Sequence, residues 1–430
     1  MGRIRLLRCV LCGLVTAAVM WSSSGCLPKT GEEKTEPPDS SFTAVVEKIT
    51  AFRFDGTDPI EVTDARAVEL FKKCLLEAEV SVPGEDDMRV TRQVTLRLGN
   101  EWMSEPWSFS YFDLPPGNPS YVRWGDKWYK IPGRFWPMAD AVRQFQPGSF
   151  DIDPDDLEFL QEYGWEPFFL ISRTTVELPP AWVHRPGDFP DVVYWAWNNE
   201  LSKDIGLDLT PYLGKTVEAR LYKTVENLPE IVGPNRSYGR VVVVRSEGKI
   251  IGAWLALGRH FCFACSLKGR TLEDVTGKSV DEWLTTLIDP NDPMERRLSA
   301  MTPEQILETY YSAIDRKDYA TAHACESRSH LLVYIASNMD DRRLYNDGFG
   351  EDRGEGLANF ISVKLIEVER AEEFERAEIG YGDAQCYWVT VEQHRRVVAG
   401  GPDGLSPYFV VMKRETPETG WRIYSIGTGP

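Results

Sequence analysis

The stretch Thr302–Ala324, TPEQILETYYSAIDRKDYATAHA, decides the fold of the C-terminal part of the chain. Thr302 and Gln305 form a capping box, and Pro303 stands at the first helical position, where proline is favoured. Apolar residues three or four positions apart then mark one helix face: Ile306, Tyr310, Ala313 and Ile314. The sequence therefore predicts a helix that begins at Pro303, followed by a turn and further helix.

Four β-rich runs follow this helical opening. They are ISVKLIEVERAEEF (361–374), CYWVTVEQHRRVV (386–398), PYFVVMKRE (407–415) and GWRIYSIG (420–427). Helices followed by a curved antiparallel sheet predict an α+β cone over residues 300–430. Together with the terminal GWRIYSIGTG, the helical opening resembles the NTF2-like domains of bacterial lipoproteins. That family contains enzymes, small-ligand binders and members without known activity, so the resemblance implies a fold and leaves the function open.

One strand of this predicted sheet carries a carboxylate and an imidazole on the same side. Alternate residues of a strand share a side, which here is formed by Trp388, Thr390, Glu392 and His394. If this side lines a pocket, Glu392 and His394 can act as a general acid–base pair, with Asp315 or Tyr311 contributing from the helices. The alternative is that residues 393–396 mark a solvated strand end.

A second pattern occupies the middle of the chain. Its parts follow one another as GWEP (164–167), VELP (176–179), YWAWNNELSKDIGLDLTPYLGKTV (194–217) and GAWLA (252–256). This order resembles an uncharacterised domain of exported Firmicutes proteins, and it covers about residues 152–257. The resemblance implies an exported α+β domain, assigned to residues 150–288, and it implies no chemistry.

The acidic run DIDPDD opens this middle domain. Four acidic residues match positions 1, 3, 5 and 12 of a calcium-binding loop: Asp151, Asp153, Asp155 and Glu162. The glycine that the loop needs at position 6 is replaced by Asp156. Asp153 as an N-cap residue and Pro154 at the first helical position explain the same run as a helix start. The sequence favours the helix start over a calcium site.

Residues 42–147 predict a further α+β domain, built mainly of antiparallel strands. Gly125-Asp126, between two aromatic-rich runs, is a two-residue hairpin signal. Five of the 14 tryptophans lie between Trp102 and Trp136. They either line a surface that binds carbohydrate or peptide, or they pack across strands and under a helix. We favour the second interpretation.

The N-terminus has the pattern of an export signal. Three arginines within the first eight residues precede the apolar stretch Cys9–Trp21, which is too short to cross a bilayer as a helix. The following SSSGC resembles the lipobox of bacterial lipoproteins, which implies a signal peptide over 1–25 and acylation of Cys26 by chains such as palmitate. Residues 26–41 then predict a flexible tether, and residues 289–299 a linker. Ordinary signal-peptide cleavage would instead give a secreted protein.

Two further cysteines form a CxxC motif, Cys262 and Cys265 in GRHFCFACSLKG. Such a pair serves as a redox centre or as half of a zinc site. Zinc needs two more ligands, and the sequence has no HxxxH and, outside the predicted signal peptide, no second CxxC. A thioredoxin-like centre opens a helix, whereas FCFAC has the pattern of a strand. Structural or free thiols are therefore favoured, and a thiol–disulfide role is the alternative.

Composition and charge limit the partners. The chain has 66 acidic and 48 basic residues, a formal charge of −18, which disfavours DNA, RNA and anionic lipid surfaces as ligands. No HExxH, GxSxG, GxxxxGKS or GxGxxG motif occurs, and we expect no metal and no cofactor. The sequence predicts a lipoprotein on the extracytoplasmic face of the cell membrane that binds a small ligand or an envelope protein without catalysis. Acid–base chemistry on a small apolar substrate at Glu392 and His394 is the alternative.

Overall fold

The computed structural model is a mixed α+β protein with several antiparallel sheets and packed helices, which confirms the α+β part of the predicted fold class. It describes residues 38–83, 90–111, 120–145, 148–229, 239–256, 263, 265–338, 356–375, 384–397 and 403–429. The predicted signal peptide, Cys26 and Cys262 lie outside these residues. Within them, every helix is too short or too polar to span a membrane.

The described residues of the N-terminal segment, which spans 38–145, form three helices and an eight-stranded antiparallel sheet. In chain order the elements are α1 (Ser40–Glu47), β1 (Ile49–Phe54), β2 (Ile60–Val62), α2 (Ala65–Leu76), β3 (Glu79–Val80), β4 (Val90–Leu98), β5 (Glu101–Trp102), β6 (Trp107–Tyr111), β7 (Ser120–Trp124), β8 (Lys127–Ile131) and α3 (Phe135–Gln144). Strands β7 and β8 form the predicted hairpin, and Gly125 adopts φ +60° in its turn. Trp107 and Trp136 are buried among core aromatic rings, as the packing interpretation predicts for these two.

The central segment, residues 148–288, is a four-stranded sheet covered on both faces. Its elements are α4 (Pro154–Glu162), β9 (Pro167–Glu177), α5 (Asp191–Lys203), β10 (Thr216–Thr224), β11 (Arg240–Ser246), β12 (Lys249–Ala256), α6 (Leu272–Thr276) and α7 (Val280–Leu284). The strand order is β12-β11-β10-β9. Helix α5 packs on one face, in a core that continues into the N-terminal segment, and α4 packs on the other.

The C-terminal segment, residues 300–429, follows a short helix within the predicted linker, α8 (Pro293–Ser299). Its elements are α9 (Pro303–Asp315), α10 (Tyr319–Ala324), α11 (Arg328–Asn338), β13 (Phe360–Arg370), α12 (Glu372–Glu375), β14 (Gln385–Arg395), β15 (Gly404–Arg414) and β16 (Trp421–Gly427). The predicted capping box is confirmed, since Gln305 N donates to Thr302 Oγ1 at 3.3 Å and Thr302 N to Gln305 Oε1 at 2.9 Å.

The sheet of the C-terminal segment has the order β13-β14-β15-β16, antiparallel throughout. Its inner face packs on helix α9 and carries apolar side chains from three strands: Val389, Val391, Val410, Met412 and Ile423. The outer face is apolar where Trp388 and Phe409 meet α12, and it is exposed toward the opposite end of β14. The inner face of the sheet is therefore part of the core, whereas part of the outer face is open to solvent.

Candidate functional site

Glu392 and His394 lie on the outer face of the C-terminal sheet. They share a side of β14 as the alternation predicts, but the residues that pack on the helices are the odd-numbered ones, such as Val389 and Val391. Both predicted site residues are exposed, and His394 Nδ1 lies 3.8 Å from Asp403 Oδ2. The pair therefore lies on the opposite side of the sheet from the helices and from the residues of the inner face.

The inner face carries a polar group that the sequence analysis missed. We call it the inner polar network, and it consists of Gln393, Arg395, Ser406 and Tyr408. Arg395 Nη2 donates to Tyr408 Oη at 2.8 Å and to Gln393 Oε1 at 3.3 Å. Gln393 Nε2 donates to Ser406 Oγ at 3.1 Å, and Tyr408 Oη to Gln393 Oε1 at 3.0 Å. These bonds fix the four side chains relative to one another.

The inner polar network reaches from the core to solvent. Gln393 is fully buried, whereas Arg395 and Tyr408 are half-buried. The Arg395 guanidinium lies 4.7 Å from the centre of the Phe360 ring. Tyr311 of helix α9 is close by, and burial, followed by the charge of the Tyr408 phenolate form, raises its pKa. The arrangement holds polar side chains in fixed positions beside an aromatic ring, a combination that small-ligand sites also have.

Asp315, the other residue expected to contribute to the acid–base pair, makes a structural contact. Its Oδ1 accepts from the backbone N–H of Val363 at 3.1 Å, and the neighbouring Lys317 Nζ donates to the carbonyls of Phe360 and Ile361 at 2.8 Å each. Lys317 has φ +65°, an unusual backbone conformation for a residue other than glycine. Both side chains fasten the start of β13 to the turn after α9.

A buried acid–base cluster lies between α9, α10 and α11. Glu326 Oε2 is 2.8 Å from His323 Nδ1, and Glu326 Oε1 accepts from Tyr310 Oη at 3.2 Å. His330 Nε2 is 3.8 Å from the same carboxylate. Burial, together with the Glu326 charge, raises the pKa of Tyr310, so this phenol stays protonated. The sequence signal was the spacing of three between His323 and Glu326, which places both at one helix junction.

The cysteine prediction can be followed for Cys265. Its backbone carbonyl accepts from Leu255 N at 3.0 Å, in an isolated bridge beside β12. Burial raises the pKa of the Cys265 thiol to about 12, which disfavours the reactive thiolate. Cys262 lies outside the described residues.

The acidic run before α4 forms a helix start, as favoured. Asp153 is the N-cap residue, with Oδ1 accepting from Asp155 N at 3.0 Å, and Pro154 begins the helix. The fully buried Asp156 accepts from Arg220 Nη1 at 2.7 Å, Arg245 Nη1 at 2.5 Å and Tyr222 Oη at 2.6 Å. In the part of the chain that the structure describes, no group of three or more His, Cys, Asp or Glu side chains is arranged to hold a metal ion.

The NNELS motif of α5 also has a structural explanation. Asn199 Oδ1 accepts from Leu209 N at 2.7 Å, and Ser202 Oγ accepts from Ala253 N at 3.1 Å. These bonds hold the loop after α5 and the edge strand β12 against the helix. Gly252 allows the approach, since a Cβ there would lie 2.8 Å from Leu209.

The central segment, α8 and the C-terminal segment meet at a buried seam whose ion pairs lie between α8 and the C-terminal segment or within that segment. Arg328 of α11 donates to Glu295 at 2.5 Å, to Glu415 at 2.6 Å and to the carbonyl of His184 at 2.8 Å. Arg422 Nη2 donates to the other oxygen of Glu295 at 2.6 Å. A cavity of about 30 Å³ opens beside this seam, with room for ordered water but not for a metabolite.

Comparisons with known proteins match two parts of the chain to families without an assigned activity. Residues 159–255 match a domain of unknown function (DUF4830), and residues 304–427 match another (DUF4829). The two matches fall in the central and C-terminal segments, and the inner polar network and the acid–base cluster both lie inside the second. Neither the curated proteins nor the solved structures contained a match.

Proposed function

We propose that this protein is an extracytoplasmic lipoprotein, tethered to the cell membrane through Cys26, whose C-terminal NTF2-like domain binds a small ligand without catalysis. The inner polar network is the observation that carries the binding part, because its polar side chains are held in place beside an aromatic ring and two of them, Arg395 and Tyr408, are half-buried. Preformed polar groups next to apolar surface are what small-ligand sites offer. The helical opening and the antiparallel sheet order support the NTF2-like assignment.

The anchor part of the proposal rests on the basic leader, the apolar stretch and SSSGC at residues 22–26. We expect wild-type protein in the membrane fraction of an expressing cell and the Cys26→Ala variant in the medium or the soluble extracytoplasmic fraction. Membrane retention of Cys26→Ala would contradict the anchor.

The binding part is tested with an apolar fluorophore, N-phenyl-1-naphthylamine, and the full chain carrying Cys26→Ala. We expect saturable fluorescence enhancement that is weakened at least tenfold by Phe360→Ala, since this ring forms the apolar side of the network. Ile361→Ala is the matched control, because Ile361 is the next residue and is 56% exposed. If the fluorophore does not bind, or if both variants bind like wild type, ligand binding at this site is wrong.

The acid–base cluster favours a second candidate function, proton transfer in the C-terminal domain. An imidazole 2.8 Å from a buried carboxylate, with a phenol on the same carboxylate, is a general acid–base arrangement. This moves the enzymatic alternative from Glu392 and His394 to His323 and Glu326. Turnover of a small substrate that is lost in His323→Gln and kept in His394→Gln would establish it; the reverse pattern, or equal turnover in both variants, would exclude this assignment.

A further inference from the structure

The chain enters the fold beside the β7–β8 hairpin. Helix α1 is the first element that the structure describes, and Asp39 is its N-cap residue. Asp39 Oδ2 accepts from Tyr129 Oη at 2.8 Å. Trp124 Nε1 donates to Ser41 Oγ at 3.2 Å. These bonds attach the first turn of α1 to β7 and β8, so the chain that leads back to Cys26 starts from this hairpin.

The end of this hairpin carries aromatic, apolar and basic side chains. We call it the hairpin tip, and it consists of Val82, Arg123, Trp124, Lys127 and Trp128. Val82 is 82% exposed, the largest fraction among the large apolar side chains that the structure describes. Its neighbour Ser81 donates its backbone N–H to the carbonyl of Trp128 at 3.0 Å, which places Val82 beside the hairpin. Both tryptophans are half-buried, whereas Arg123 and Lys127 are exposed. Indole and long basic side chains are the residue types that proteins place at the boundary between water and lipid.

The charges of the hairpin tip are balanced. Arg123 and Lys127 are accompanied by Asp126 in the turn and by Asp39, whose carboxylate lies 3.8 Å from Lys127 Nζ. These four groups carry two positive and two negative charges, whereas the whole chain carries −18. The described groups of the tip therefore add no net charge to a contact with an anionic membrane, and the indole rings can enter its headgroup region.

The predicted tether keeps this part of the molecule near the bilayer. Eleven residues separate Cys26 from Pro38, the first residue that the structure describes. A chain of that length spans at most about 40 Å when extended and about 17–20 Å on average as a flexible coil. Contact with the membrane is then an intramolecular step at an effective concentration on the order of millimolar, so a weak contact is sufficient. The charge of −18 disfavours capture of the free chain by anionic lipid, whereas the tethered chain is already at the surface.

We propose that the hairpin tip contacts the headgroup region of the membrane that holds the anchor. Val82, Trp124 and Trp128 enter the interface, while Arg123 and Lys127 lie among the lipid phosphates. The contact orients the chain on the bilayer. This inference rests on the proposed anchoring at Cys26, and it adds the surface with which the tethered protein meets the membrane.

Hydroxyl-radical footprinting read by mass spectrometry measures the exposure of each tryptophan separately. Wild-type protein is purified from the membrane fraction and reconstituted into liposomes of phosphatidylethanolamine and phosphatidylglycerol, and the full chain carrying Cys26→Ala is mixed with the same liposomes. We expect Trp124 and Trp128 to be oxidised at least threefold more slowly in the wild-type sample. Trp182 is the matched control, because it is also half-buried but lies in the central segment. Its oxidation rate should differ less than 1.5-fold between the two samples.

A carboxylate placed in the hairpin tip tests the contact in a second way. Val82→Asp changes an exposed position, and we expect the tethered variant to lose the protection of both tryptophans. Val183→Asp is the matched control, because Val183 is an exposed valine of the central segment, and it should keep the protection. Equal oxidation of Trp124 and Trp128 in wild type and Cys26→Ala, or the same protection in Val82→Asp as in wild type, would overturn the contact and leave the anchor intact. Wild-type protein that does not sediment with the liposomes would instead overturn the anchor.

Discussion

Lys223 is a buried lysine near the end of β10, with 2% exposure and its Nζ donating to the carbonyl of Thr224 at 2.6 Å. Burial, and then the charge of Arg240 on the neighbouring strand, lowers its pKa from 10.5 to about 7. The unfolded chain therefore binds a proton between about pH 7 and 10.5 that the folded protein lacks. The stability contributed by this residue rises with pH across that window.

We expect Lys223→Met to be more stable than wild type at pH 6, where the folded wild-type protein must bury a charge. The advantage should shrink by about 1.4 kcal/mol per pH unit above pH 7. Urea unfolding of both proteins at pH 6, 8 and 9.5 measures it. Lys127→Met at an exposed position is the control. Parallel pH profiles for Lys223→Met and wild type would show that Lys223 stays charged in the folded state.

The inner polar network shows what strand periodicity can and cannot predict. Alternation correctly places Glu392 and His394 on one side of β14, but it does not say which side packs on the helices. The sequence marks the inner side by the apolar residues Val389 and Val391. Gln393 is the next residue on that side of β14, and it is buried although it is polar. A polar residue on the otherwise apolar side of a strand is the sequence signal that predicts a polar site on the inner face of the sheet.

Helix α4 is anchored to the sheet by its second aspartate. Asp156 is fully buried between Arg220 and Arg245, whereas the side chain of Asp155 is 76% exposed and touches Arg245 at 3.2 Å. Two adjacent aspartates of one helix turn thus differ mainly in burial. Variants at these two positions therefore separate the contribution of a buried ion pair to the free energy of unfolding from that of an exposed one.

We expect Asp156→Asn to lower the free energy of unfolding by about 3–5 kcal/mol, because it leaves two guanidinium groups without the buried carboxylate that accepts from both. Asp155→Asn should cost less than about 1 kcal/mol. Urea unfolding followed by tryptophan fluorescence compares the two variants at pH 7. Similar losses in both would mean that helix-dipole effects, shared by both residues, dominate at this site.

Helix starts were predictable from sequence, whereas the partners of buried charges were not. Thr302 with Gln305, and Asp153 with Pro154, act within one turn, so their pattern is visible in a few letters. Asp156 meets Arg220 and Arg245 across 64 and 89 residues of chain. Such pairs depend on strand order and register, and a single sequence contains no signal for them.

The seam between the central and C-terminal segments also contains a neutral buried histidine. His184 Nε2 lies 2.9 Å from the carbonyl of Asp188. Burial, and then the charge of Arg328, lowers its pKa from 6.5 to about 3. The unfolded chain binds a proton as the pH falls from 6.5 to 3, and the folded protein does not. The stability of the protein therefore decreases as the pH is lowered through this window.

We expect His184→Gln to lose stability less steeply on acidification, by up to about 1.4 kcal/mol per pH unit between pH 6 and 4. Thermal unfolding midpoints at pH 7, 6, 5 and 4 measure the difference, and other titrating groups are common to both proteins. His394→Gln, with an exposed imidazole, should follow wild type. If His184→Gln follows it too, the seam histidine is protonated in the folded state.

The contacts between segments are the part of the structure that the sequence predicts least. The predicted linker over 289–299 contains α8, whose Glu295 is 1% exposed and is bound by Arg328 and Arg422. Those partners lie 33 and 127 residues further along the chain. The composition of residues 289–299 predicts a linker, but the ionic contacts of Glu295 fasten α8 to the C-terminal segment, and they form only once that segment is folded.

Glu295 therefore tests whether the two segments unfold together. In Glu295→Gln the carboxylate that holds two buried guanidinium groups is lost, and we expect a loss of about 3–5 kcal/mol. Because Arg328 also binds the carbonyl of His184 and Glu415, the damage should fall on the contact between segments and leave each core intact. Calorimetry should then show one unfolding transition in wild type and two in the variant, with proteolysis near residues 289–299.

Glu418→Gln, at an exposed position, should keep a single transition. A single, uniformly lowered transition in Glu295→Gln would mean that apolar contacts, such as those of Leu332 and Ile335 with the central core, are sufficient to couple the segments.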